Sequence, residues 1–299
     1  MQQLLQLGPS HVIEVGYFGN MGRKLRSQLD INEPRYVPGS STAGNVQARR
    51  PTFPQFYSNL NMNSNQARTD YHSMQASVKR RFSAGVTFDA SYVLSKETEL
   101  PQGAPVTVYD FGLEYGRSIV DARHRFISSF IWEPLWASQL SGFPRYVLHG
   151  WQLSGIVNLQ SGMPFTVTAG SDVNLNGVNN DRPNVSRDAR LDPNRPRDEV
   201  VLQWFDTAAF SQPAPGQIGT TGRNTLDRPG FKNIDLGINR NFRIGPHRLQ
   251  FRSEWFNTFN WVNLNAPVSN IRSATAGRIL TASSARVIQF GLKFFLFAD

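Results

Sequence analysis

The stretch from Tyr71 to Lys96 narrows the possible folds more than any other, because two runs of strict apolar/polar alternation meet there at Ser83, Ala84 and Gly85. A period of two marks a strand whose faces meet different surroundings. In the first run Met74, Ala76, Val78 and Phe82 share one face, and Ser73, Gln75, Ser77, Lys79 and Arg81 share the other. In the second, Val86, Phe88, Ala90, Tyr92 and Leu94 oppose Thr87, Asp89, Ser91 and Ser95, with Val93 out of class. The pair reads as one hairpin. Each run holds about 10 to 12 residues, roughly twice a typical soluble strand and close to the 9 to 11 or so that a tilted strand needs to cross a bilayer.

Composition agrees with strands rather than helices as the spanning element. With 39% hydrophobic residues and a mean hydropathy of −0.38, the chain has no run near the roughly 18 apolar residues of a spanning helix. A β-barrel passes this test, since its strands are only half apolar. The net charge of +9 on 31 Lys and Arg favours anionic surfaces. No basic block is longer than the three residues Lys79-Arg80-Arg81 and no zinc-ligand or helix-turn-helix pattern is present, so nucleic acid is not an expected partner. Cysteine is absent, which removes disulfides and thiolate metal sites. Met1 to Ser10 has neither the basic region nor the apolar run of an export signal. The expectation is that such a signal lies upstream and that Met1 is internal or a cut end.

Further strands follow the same pattern. Gln3 to Gly8 reads as the tail of a strand that turns at Gly8-Pro9-Ser10, and His11 to Gly19 alternates with Ile13, Val15 and Tyr17 on one face. Arg123 to Trp132 places Phe126, Phe130 and Trp132 on one face and Ile127 and Ile131 on the other, which requires burial on both sides or a filled interior. Trp151 to Val167 reads as one long, kinked strand. A second hairpin turns at Ile244-Gly245-Pro246, with Ile234, Leu236, Ile238 and Phe242 in one arm and Leu249, Phe251, Ser253 and Trp255 in the other. The last strand carries Ile288, Phe290, Leu292, Phe294 and Leu296 on one face. Between these lie polar loops, Asn20 to Asp70, Glu97 to Ala122, Ala169 to Gly230 and Asn260 to Ala285, and a medium connection, Glu133 to Leu148.

The order of these connections is the strongest topological signal. From His11 onward they run long, short, long, medium, long, short, long, so every long one lies on the same side of an up-and-down sheet. Outer-membrane barrels have this asymmetry, with short periplasmic turns and long extracellular loops; sandwich connections do not sort by length onto one end. The expected fold is therefore all-β, an antiparallel up-and-down transmembrane β-barrel segment of about eight strands. The apolar faces then meet lipid, because a bilayer satisfies no polar group, and the polar faces line a wet lumen. Tyr92, Trp132, Trp151, Trp255 and Phe259, near strand ends, fall where an aromatic girdle belongs.

Several segments carry a family likeness. They are Glu14-Val15-Gly16-Tyr17, Tyr71-His72-Ser73-Met74-Gln75 with Lys79-Arg80-Arg81-Phe82, and Asp121-Ala122-Arg123-His124-Arg125-Phe126. Gly150-Trp151-Gln152-Leu153-Ser154-Gly155, Asp181-Arg182-Pro183-Asn184, Gly222-Arg223-Asn224, Glu254-Trp255-Phe256-Asn257 with Asn260, and Gln289-Phe290-Gly291-Leu292-Lys293 continue the series. Taken in order, they resemble the carboxyl-terminal barrel of TonB-dependent receptors, above all the acidobacterial type with a carboxypeptidase-regulatory-like domain ahead of the plug. The resemblance spans nearly the whole chain. It implies that residues 1–299 form the last part of a barrel of about 22 strands in the outer membrane, with the plug, the TonB box and the earlier strands upstream. It implies energised import of a bulky nutrient (glycan, peptide or metal chelate), with outer-membrane lipid, the TonB complex acting through the plug, and an unknown nutrient as partners. The family commonly ends on an aromatic residue; its equivalent here is Leu296, followed by Phe297, Ala298 and Asp299. A passive porin or surface adhesin, or a soluble secreted glycan-binding β-protein, are the alternatives.

The five histidines, at 11, 72, 124, 149 and 247, are scattered at strand ends, and no catalytic constellation stands out, so the chain is expected not to be an enzyme. Asp172, Asn174, Asn176 and Asp181, with Gly177, match the opening of a calcium loop. The twelfth position is Pro183 rather than a bidentate Glu, so an Asx-turn loop is the competing reading. No other cofactor is expected. Candidate lumen and ligand-binding residues are Arg81, Asp89, Asp235, Arg252 and Glu254, each of which has cross-strand pairing as its alternative role.

Overall fold

The computed structural model describes residues 2–52, 54–55 and 59–296. Nine long strands form one antiparallel sheet: β1 Gln2–Leu7, β2 His11–Asp30, β3 Asn61–Ser83, β4 Val86–Leu100, β5 His124–Trp132, β6 Trp151–Gln160, β7 Phe231–Ile244, β8 His247–Phe256 and β9 Val287–Phe295. They are hydrogen-bonded in sequence order, and the two-residue strand Gly116–Arg117 pairs beside β4. The sheet is an up-and-down meander. Among the described residues no helix is long and apolar enough to cross a membrane.

Register carries the two-faced pattern from strand to strand. Ile13, Val78, Ala90, Ser128, Val157 and Ile234 are successive partners across β2 to β7. Nearer the short turns, Val86, Trp132, Leu153, Ile238, Ser253 and Phe290 form a second such row across β4 to β9. Many side chains of this face are solvent-exposed, among them Val15, Met74, Phe290 and Leu292. Water would penalise such a surface by about 25 cal/mol per Å²; hydrocarbon does not. The band ends in polar partners on the long-loop side, where Tyr17 and Tyr92 stack on and hydrogen-bond to His72 and His124. Trp132 and Trp151 mark its other edge.

The turn between β3 and β4 shows how a hairpin closes tightly. Ala84 and Gly85 both have positive φ, at 52° and 79°, and Ser83 pairs with Val86. This is the two-residue turn with left-handed backbone that matches strand twist. A Cβ on Gly85 would stand 2.1 Å from the Glu133 carbonyl oxygen, so the turn tip packs against the next periplasmic connection.

Three boundaries differ from the sequence reading. The expected loop from Asn20 to Asp70 shrinks to 31–60, because β2 and β3 extend far past the alternating segment. Above the bilayer both faces are wet, so nothing imposes alternation, and Asn, Gln, Arg and Thr fill both sides. Trp151 to Val167 is not one strand: β6 stops at Gln160, and Pro164–Phe165 pairs separately with Leu226–Asp227. Gly162, whose Cβ would fall 1.7 Å from the Arg228 carbonyl oxygen, and Pro164, which has no N–H, break the ladder. Short helices also appear in the connections, including α1 Gly142–Leu148 and α2 Arg197–Leu202. Leu296 lies one residue beyond β9, and Phe297 to Asp299 lie outside the described residues.

The long connections 31–60, 101–123, 161–230 and 257–286 gather at one end of the sheet. They hold a small core of Val167, Ala189, Phe205, Ala209 and Leu226, with Phe165, Trp204, Phe210 and Ile271 packed against it. The extracellular end is thus a folded layer with its own apolar interior.

Candidate lumenal groove and loop network

Opposite the lipid face, two neighbouring rows of the lumen face build a groove of about 600 Å³. In one row Lys79, Asp89, Ser129, Ile156 and Asp235 are successive cross-strand partners from β3 to β7. In the other, Thr87, Ile131, Ser154, Gly237 and Glu254 run from β4 to β8. Lys79 and Arg81 lie at the β3 end with Asp89 beside them on β4, Asp235 and Glu254 lie at the β7–β8 end, and Ile131, Ile156 and Phe256 are the apolar part of the lining.

Four of the five predicted lumen residues, Arg81, Asp89, Asp235 and Glu254, line this groove; Arg252 does not. Their partners differ from residue to residue. Asp89 pairs with Lys79 at 3.4 Å, a largely exposed contact of the kind worth about 1 kcal/mol or less. Asp235 accepts a hydrogen bond from the Asn257 backbone N–H at 2.8 Å, tying β7 to the end of β8. Arg252 donates to Gln250 on its own strand at 2.7 Å. Among the described residues neither the Arg81 guanidinium nor the Glu254 carboxylate has an ion-pair partner, which leaves both available to an occupant. Lys79, Ile156 and Phe256 escaped selection from sequence. Charge singled out the first no more than its neighbours, and an apolar residue signals a lumen only once register fixes its face.

In the loop layer, polar side chains bind distant connections together. Glu33 accepts from Thr107 Oγ1 at 2.6 Å and from the Val108 N–H at 2.9 Å, while Tyr109 donates its hydroxyl to the Glu33 carbonyl. Burial pushes the Glu33 carboxyl above the ordinary glutamate range, and these hydrogen bonds oppose the shift. Arg182 and Glu114 form a buried pair at 3.0 Å. Arg223 reaches Glu99 at 2.6 Å, and Arg50 reaches Asp30 at 3.0 Å.

The predicted calcium residues sit inside this network. Asn174 and Asn176 each donate an Nδ2 hydrogen bond to the Val106 carbonyl at 2.9 Å. Their Oδ1 atoms accept from the backbone N–H of Asn176 and Val178, and Asp172 accepts from Asn176 and Gly177. Asp181 Oδ2 accepts from Val173 and Asn174 at 2.5 and 2.9 Å, while its buried Oδ1 has no partner among the described residues. Burial pushes the Asp181 carboxyl upward. Most of the oxygens a cation would need are therefore facing N–H donors. Among the described residues no group of three or more His, Cys, Asp or Glu is placed to hold a metal ion. The geometry is that of linked Asx turns.

A continuous antiparallel meander with a lipid-facing outer side, a polar inner side and all long connections at one end defines the wall of an outer-membrane β-barrel. Residues 2–289 match the outer membrane beta barrel domain family, and the chain belongs to that family. No curated protein matches the sequence. Among solved structures, the chain is similar to FpvAI in its complex with pyocin S2, with 12% identity and a TM-score of 0.45, over 97% of this chain and 26% of that one. It is also similar to Pseudomonas aeruginosa FpvA bound to heterologous pyoverdines, with 10% identity and a TM-score of 0.42, over 98% of this chain and 32% of that one. The chain thus spans about a third or less of the structures it matches.

Proposed function

We propose that this chain is part of the barrel wall of a TonB-dependent outer-membrane receptor, in which a plug fills the lumen and energised import carries a bulky nutrient. The reading extends to the acidobacterial type, with the plug and a carboxypeptidase-regulatory-like domain contributed by chain outside this sequence. The observation that carries it is the apolar part of the lumenal groove. A permanently water-filled pore has no use for Ile131, Ile156 and Phe256 on its inner wall, whereas a lumen occupied by a folded plug buries them. The uncommitted Arg81 and Glu254 then become polar contacts to that occupant or to the passing nutrient. Charge-assisted contacts of this kind are reversible when they are partly hydrated.

A photoreactive amino acid at position 156 of the full-length protein, irradiated in intact cells, tests this reading. Cross-linking within the same polypeptide, to a segment outside residues 1–299, is the expected result. A side chain that cross-links to nothing and is freely modified by water-soluble reagents would make the barrel a passive pore.

A further inference from the structure

We propose that the β5–β6 connection, residues 133–150, is a membrane-interface foot, with α1 lying among the phospholipid headgroups of the periplasm-facing leaflet. Its sequence is unlike that of the other periplasmic turns, being longer and rich in aromatic and aliphatic residues. The structure leaves these residues uncovered: Phe143 is 77% exposed, Tyr146 69% and Trp136 54%, with Leu135 and Leu148 also exposed. Helices much shorter than about 12 residues are marginal in water even with good propensity. This one has seven residues, includes Pro144, and presents apolar side chains outward.

Two clamps from the barrel wall fix where the segment lies. Trp151 donates its indole N–H to the Val147 carbonyl at 2.8 Å, and Arg240 donates to the Tyr146 carbonyl. Both caps therefore satisfy carbonyls at the carboxyl end of α1, where a cation is also electrostatically favoured. The Arg240 guanidinium rests over the rings of Tyr146, Trp151 and Phe242, at 5.7, 5.1 and 4.4 Å. Arg240 and Trp151 are cross-strand partners, and both belong to the lipid-facing side that carries Ile238 and Leu153. The foot is consequently continuous with the lipid face, at the level of its lower aromatic edge. A plug would occupy the opposite face of the sheet. Added strands would pair at β1 or β9, whereas β5 and β6 are interior. The exposed Arg145 supplies the charge expected of a segment bound to anionic headgroups.

Residues 1–299 contain no cysteine, so once any cysteine elsewhere in the full-length protein is replaced by serine, an introduced one is the single site for a nitroxide label. In the full-length protein reconstituted in phosphatidylethanolamine/phosphatidylglycerol vesicles, labels at Phe143→Cys and Trp136→Cys should collide more often with membrane-soluble oxygen than with a water-soluble nickel chelate. That ratio should fall for Phe143→Cys when Arg145→Gln is added. A label at Leu292→Cys on the barrel wall separates the two readings: oxygen-dominated relaxation there, with nickel-dominated relaxation at 143 and 136, overturns the foot while leaving the barrel intact. Labels shielded from both reagents in native membranes but water-exposed in vesicles would assign a protein partner and overturn it as well.

Discussion

The buried Arg182–Glu114 pair shows how single residues hold the loop layer. Side-chain exposure is 4% for the arginine and 7% for the glutamate, so loss of either charge strands the other in low dielectric. Glu114→Gln should destabilise the layer by about 3 to 5 kcal/mol, measured by denaturant unfolding; a change near that of a surface pair would mean that the site is wetter than its geometry. Asp181 gives a pH-dependent case. Because burial raises its folded-state pKa above the ordinary 3.8, its protonated form favours folding, fully below pH 3.8 and progressively less as pH rises through the raised value. Asp181→Asn keeps an oxygen for the two backbone donors and removes the buried charge. Its melting temperature, relative to wild type, should therefore climb from acid to neutral pH. A pH-independent difference would count against the raised pKa. The Asx-turn oxygens were legible in the sequence as a cluster, but the carbonyl that accepts from the Asn174 and Asn176 amides was not, since Val106 lies far away along the chain.

At the scale of strands and turns, alternation located the lipid-facing part of each membrane-spanning strand, because lipid enforces it, but ran on past Gln160 to Val167, where the ladder is already broken. It failed at Asn20 to Asp30 and Asn61 to Asp70, where β2 and β3 leave the bilayer and each residue meets water on either side. The lipid/lumen division is testable at adjacent positions of β7. Leu236→Arg should cost roughly 2 to 4 kcal/mol in vesicles if the position is near the midplane, measured by urea unfolding. Asp235→Asn, which can still accept from Asn257, should cost much less. Equal penalties would mean that the two faces are not differently solvated. Gly85→Ala forces a side chain into left-handed backbone and against the Glu133 carbonyl. It should lower the yield of heat-modifiable, folded barrel, whereas Gly245→Ala, with nothing among the described residues within 4 Å of its Cβ, carries the backbone penalty and should lose less.

For the molecule as a whole, the connection order contained the topology, and the structure reproduces it as a single meander with a folded layer at one end. The groove was legible only in part. Charges on the lumen side could be named from alternation, but Ile156 and Phe256 became informative only when register placed them beside Asp235 and Glu254. The layer has a consequence for recognition from outside the cell. Its outer surface is assembled from segments dozens of residues apart, held together by Val106, Glu33, Glu114 and their partners, so an antibody or phage fibre that grips it reads a composite epitope. Peptides copied from any one loop should compete poorly for such a binder, while the folded barrel competes fully.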